Sequence, residues 1–180
     1  MCLKKSMLTA FAFCALFAVP LLSVPGDISL GLIVGSGFLL NSPAYLPGVI
    51  DEGGGFDFEA KGQYLLADDF LLGADLHIGA LTGFMKVNRY TDASGRYGRG
   101  DIPLVAFGQL DFGPMYALAG VGLHLWTGDG RGMDFGMTLG GGYLYELSED
   151  FTLDAGVRLH ALFADNAAML NWNIGVVYSF

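Results

Sequence analysis

From residue 27 onward the chain alternates apolar residues with small or polar ones in eight successive segments, and none of its apolar runs approaches the ~18 residues that read as a membrane-crossing helix. A period of two puts alternate side chains on opposite faces of a strand. The clearest segment sets Phe56, Phe58, Ala60, Gly62 and Tyr64 against Asp57, Glu59, Lys61 and Gln63. A later one sets Phe151, Leu153, Ala155, Val157 and Leu159 against Thr152, Asp154, Gly156, Arg158 and His160. The last sets Leu170, Trp172, Ile174, Val176, Tyr178 and Phe180 against Asn171, Asn173, Gly175 and Ser179. The segment from Met115 to Trp126 is ambiguous and is read with Ala117, Ala119, Val121, Leu123 and Leu125 on its apolar face.

Alternation also describes a soluble sandwich, so the composition of the second face decides. A water-facing sheet carries Lys, Glu and Thr densely, whereas here the polar face is glycine with a few charges and amides. Only 15% of the chain is charged while 53% is hydrophobic, against roughly 25% charged in ordinary soluble domains. A crowded polar interior with an aromatic-rich apolar exterior predicts an all-β chain, an eight-stranded antiparallel transmembrane β-barrel. With Lys+Arg 9 against Asp+Glu 18, a basic nucleic-acid binder is excluded.

The connections are read as tight turns at Ala67-Asp68-Asp69, Gly113-Pro114 and Ser148-Glu149-Asp150, alternating with longer loops, notably 41–54 and 83–101. Short turns at one end and long loops at the other are the periplasmic and extracellular ends of such a barrel.

Residues 1–26 read as a signal peptide ahead of a barrel domain at 27–180. Lys4 and Lys5 precede an apolar run from Met7 to Leu22, and Ser23-Val24-Pro25-Gly26 supplies a small-residue exit. Cys2 and Cys14, the two cysteines, fall in that segment, so the expected mature chain has neither disulfide nor thiolate ligand. Losing Lys4 and Lys5 leaves seven basic against 18 acidic residues, a net charge of −11.

The last strand, ending in Tyr178-Ser179-Phe180 with Trp172 further back, resembles the C-terminal assembly signal of bacterial outer-membrane proteins. The segments from Gly136 through Tyr143 and from Leu153 through Leu159 resemble the small eight-stranded barrels of the OmpX, opacity-protein and OmpW type. That resemblance implies residence in the outer membrane of a diderm bacterium. It also implies outer-membrane lipid, a lipopolysaccharide-like glycolipid and the barrel-assembly machinery as partners of a monomer. Those families include surface adhesins, barrels of uncertain role and proposed conduits for hydrophobic molecules, so the fold does not fix the function.

Candidate chemistry is sparse. His77, His124 and His160 fall on the polar face, but they lack a short ligand motif, and neither metal nor cofactor is expected. A serine hydrolase would need Ser near His and an acid. None of Ser29, Ser36, Ser42, Ser94, Ser148 and Ser179 stands two residues from a histidine, and an enzyme is not expected. Folding about the 67–69 turn would place Lys61 opposite Asp75 and Glu59 opposite His77. Arg158 and His160 would face Asn171 and Asn173. These residues are read as a scaffolding network inside the barrel.

Lys86, Arg89, Arg96 and Arg99 crowd into 14 residues of one long loop, with Tyr90 and Tyr97 among them. In so acidic a chain they are candidates to grip glycolipid phosphates or an acidic host or matrix surface. The expected function is therefore a structural or surface-interaction, adhesion-like role without catalysis. The alternative is a narrow, porin-like conduit for small hydrophobic solutes.

Overall fold

The computed structural model describes residues 28–39, 50–51, 55–92, 95–128, 132–163 and 167–180. The expected signal peptide lies outside them, as does most of the 41–54 connection. Among the described residues nine strands are formed: β1 (Ile28–Leu39), β2 (Ile50–Asp51), β3 (Gly55–Leu71), β4 (Ala74–Asp92), β5 (Gly95–Phe112), β6 (Met115–Gly128), β7 (Gly132–Glu146), β8 (Phe151–Leu162) and β9 (Ala167–Ser179). Every pairing is antiparallel. The order β4-β3-β1-β9-β8-β7-β6-β5 closes on itself through β4–β5, and β2 adds two residues beside β4. This is an eight-stranded closed barrel. Closure leaves no barrel edge unpaired, as a strand structure in lipid requires.

The alternation is realised as inside and outside. On β3, Asp57, Glu59, Lys61 and Gln63 are buried while Phe56 and Phe58 are exposed. On β9, Asn171 and Asn173 are buried while Trp172, Ile174 and Val176 are exposed. The ambiguous segment resolves as expected: Ala117, Ala119, Val121 and Leu123 face out, and Tyr116, Leu118, His124 and Trp126 are buried. An apolar band this continuous far exceeds the few hundred Å² that soluble monomers tolerate, and lipid is its natural solvent.

Two expected connections are corrected. Ala67-Asp68-Asp69 is not a turn, because β3 continues to Leu71 and the chain reverses at Leu72-Gly73. Both turn residues have positive φ, 54° and 77°, the signature of a type I′ hairpin turn, whose twist matches that of the strands. The acidic stretch forms an irregularity between Ala67 and Leu71 instead, with the Asp69 amide donating to Asp75 Oδ1 at 3.1 Å. Leu72, 94% exposed, is thus at a turn apex, and Ala74 is buried.

The second correction concerns the basic loop. Most of 83–101 is strand, with β4 running to Asp92 and β5 starting at Gly95. Pairs such as Arg89↔Gly98 and Thr91↔Arg96 continue the ladder, with a register shift between Val87 and Arg89.

Candidate functional site

The lumen holds buried charge in layers. Near the turn end, Lys61 Nζ lies 3.0 Å from Asp154 Oδ2, and the Tyr116 hydroxyl donates to Asp154 Oδ1 at 2.8 Å. The Lys61 ammonium also sits 5.0 Å from the centroid of the Tyr116 ring and 5.9 Å from that of Phe107, within cation–π range. A second ion pair joins Arg158 to Glu59, both fully buried. Asn171 donates from Nδ2 to Asp57 Oδ2 at 3.1 Å. Toward the other end, His124 Nδ1 is 2.6 Å from Asp101 Oδ2 and His160 Nδ1 is 2.9 Å from Thr138 Oγ1.

The expected ladder pairs are therefore corrected. Lys61 is opposite Leu81, not Asp75, and Glu59 is opposite Gly83, not His77. The cause is the relocated turn, which slides β4 along β3. Asp75 lies beside the turn, while His77 Nδ1 approaches Asp111 Oδ2 at 3.3 Å, apart from the central network. Arg158 does pair with Asn171 in the ladder, but His160 is opposite Met169 and Asn173 is opposite Gly156. Sequence reasoning missed Asp154, Tyr116, Asp101 and Thr138 as partners. Asp154 reaches Lys61 and Tyr116 across non-neighbouring strands, which depends on how the barrel closes. Thr138 and Asp101 instead meet His160 and His124 on neighbouring strands, whose register parity alone does not give, and Asp101 was read as loop.

Aromatic bulk occupies the room that glycines leave. A Cβ added at Gly142 would lie 2.7 Å from Tyr116 Cε1, and one at Gly79 would lie 2.6 Å from Phe107 Cζ. A void of about 10 Å³, room for one water, lies beside Asp57, Met85 and Asn171. Among the described residues, no three His, Cys, Asp or Glu side chains are grouped to hold a metal ion.

The residues read as an assembly signal lie on the closing strand. β9 pairs with both β8 and β1. The Phe180 amide donates to the Ile28 carbonyl at 3.0 Å, and the Ser29 and Ser179 hydroxyls are 2.9 Å apart. Tyr178 lies between Phe151 and Phe180, its centroid 5.0 and 4.8 Å from theirs, tilted by 52° against the first and edge-on at 84° to the second. Trp172 is 56% exposed on the outer band. Of the basic cluster, Lys86 is exposed at the top of the barrel wall, opposite Phe56 and Gly100. Arg89, Arg96 and Arg99 occupy the β4–β5 hairpin beyond it.

Polar inside, apolar outside and closed at eight strands, the fold is that of the small outer-membrane β-barrels. No protein-family model and no curated protein matches the chain. Solved structures do. Ail, the attachment invasion locus protein of Yersinia pestis, is similar with a TM-score of 0.56 at 16% identity, over 87% of this chain and 100% of that one. A further structure of Ail, in complex with the heparin analogue sucrose octasulfate, gives the same TM-score at 14% identity and equal coverage. Neisserial surface protein A is similar with a TM-score of 0.58 at 16% identity, over 86% of this chain and 97% of that one. For OprG from Pseudomonas aeruginosa the TM-score is 0.52 at 14% identity, over 87% and 96% respectively. At such identities the likeness establishes the fold.

Proposed function

We propose that the protein is an outer-membrane barrel with a plugged lumen that acts at the cell surface, in a structural or attachment role and without catalysis. The observation that carries this reading is the lumen itself. The Lys61–Asp154 and Arg158–Glu59 pairs reach across it, and Tyr116 and Phe107 fill the space over the inward glycines. An eight-stranded interior is just wide enough to be filled by side chains, which favours this reading over a conduit.

The attachment half rests on the β4–β5 hairpin. It concentrates Lys86, Arg89, Arg96 and Arg99 at the end opposite the tight turns, where an acidic glycolipid or matrix polyanion would be met. That Ail has been captured with a heparin analogue supports the same chemistry here. Residence in the outer membrane, export through residues 1–26 and insertion by the barrel-assembly machinery belong to this proposal.

The test is replacement of all four basic residues by Ser. Binding to heparin-like polyanions and to lipopolysaccharide should fall in the variant. In the parent it should fall steeply with salt, because exposed charges are screened within about 10 Å at 0.1 M. Unchanged attachment of the variant at low salt would overturn the attachment role.

A further inference from the structure

His124 on β6 and His160 on β8 are separated by β7, yet their ring centroids are 5.5 Å apart with planes at 77°. The intervening strand allows this because it carries Gly136 between the inward Asp134 and Thr138. A Cβ at Gly136 would stand 3.2 Å from His124 Cδ2 and 3.0 Å from Leu162 Cδ2. Both imidazoles are fully buried. Each is held by its Nδ1, on Asp101 and Thr138 respectively, and each leaves its Nε2 without a hydrogen-bond partner in the protein.

Two buried imidazoles, each oriented through one nitrogen and presenting the other, form the arrangement that precedes metal ligation. The separation fits it as well. Two imidazoles sharing an ion at metal–nitrogen distances of about 2.0 Å and an angle of about 120° have centroids roughly 5.5 Å apart. No third His, Cys, Asp or Glu among the described residues joins them, which argues against a hard or divalent ion held by three such ligands. The inward residue opposite His160 in the ladder is Met169, 1% exposed, whose thioether is a soft donor. Met85 is otherwise engaged, its Sδ accepting from Asn171 Nδ2 at 2.6 Å. Two imidazoles and a thioether, with the Asp101 carboxylate close behind, suit a monovalent soft ion.

We propose that His124, His160 and Met169 form a binding site for a soft monovalent metal ion of the cuprous type, near the end of the lumen opposite the tight turns. Trp126 and Leu162, each two residues further along its strand, lie above it. The site departs from the absence of metal expected from sequence, since the approach across Gly136 is set by the register of three neighbouring strands.

Silver ion, a redox-inert analogue of cuprous copper, is the probe, titrated into the purified, folded full chain in detergent. One ion should bind per chain in native mass spectrometry, and the Nε2 resonances of His124 and His160 should shift together. H160Q should abolish binding, H77Q should leave it unchanged, and M169L should weaken it. T138V, which releases the His160 ring without removing a ligand, should weaken it about 10–100-fold. Should H160Q fail to fold, M169L and the resonances of the unsubstituted chain decide. Binding that H160Q or M169L leaves intact, stationary Nε2 resonances, or zinc held more tightly than silver would overturn the proposal.

Discussion

Lys61 Nζ and Asp154 Oδ2 meet at 3.0 Å although β3 and β8 are separated in the sheet by β1 and β9. The same two strands supply Glu59 and Arg158, with the signs reversed. Each strand thus offers one cation and one anion to the other across the lumen. Removing one partner of a buried pair strands the other charge, which costs far more than losing both together.

The lysine substitution K61M should therefore destabilise the barrel by about 3–5 kcal/mol, and the double variant K61M/D154L should recover most of that loss. Urea unfolding in lipid vesicles, followed by heat-modifiable gel mobility, measures both. Equal losses in the single and double variants would refute the cross-barrel coupling.

In planar bilayers the unsubstituted barrel should give no steady conductance. Replacing Phe107 and Tyr116 together by Ala should produce one, because those rings fill the space over Gly79 and Gly142. Reproducible conductance of the parent, lost on bulky substitution at Gly120 or Gly140, would establish the conduit instead.

The glycine at 142 should not tolerate Val. Its Cβ would meet Gly156 Cα at 2.8 Å and Tyr116 Cε1 at 2.7 Å, and the backbone of a neighbouring strand cannot retreat without opening the ladder. The expected outcome is loss of the compact, heat-modifiable form. Gly141→Ala, whose added Cβ would have 3.0 Å to the Tyr116 carbonyl as its one close neighbour, should retain it.

At the closing strand, F180A should slow assembly in cells while leaving the stability of the refolded barrel within about 1.5 kcal/mol, the scale of one aromatic pair. Pulse-labelled appearance of the folded form reports the first quantity, and urea unfolding the second. Normal assembly kinetics would remove Phe180 from the signal.

The eight strands and their inward faces were legible in the sequence, since Asp57 to Gln63 and Asn171 to Asn173 follow a strict period of two. Turn chemistry misled at Ala67-Asp68-Asp69. Acidic residues suit a turn, but the I′ turn formed at Leu72-Gly73, where glycine supplies one of the two positive φ values. The basic stretch read as loop because Asn, Ser and Gly interrupt its alternation, yet its backbone continues the β4–β5 pairing. For the site, inward parity named Glu59, Lys61, Arg158 and His160, but neither Asp154 nor Glu59 could be matched to its cation. Parity fixes a face, whereas a contact across the lumen needs the stagger of every strand between.

The pairing of β1 with β9 sets a limit on time as well as on shape. Ser29 and Ser179 touch across 150 positions of the chain, so the first strand has no final neighbour on one side until the last has emerged. Such distant pairings are intrinsically slow to find. Until then, a ribbon of apolar side chains and two open edges must be kept from other chains, and the speed of that last join governs how much of the protein is lost to aggregation.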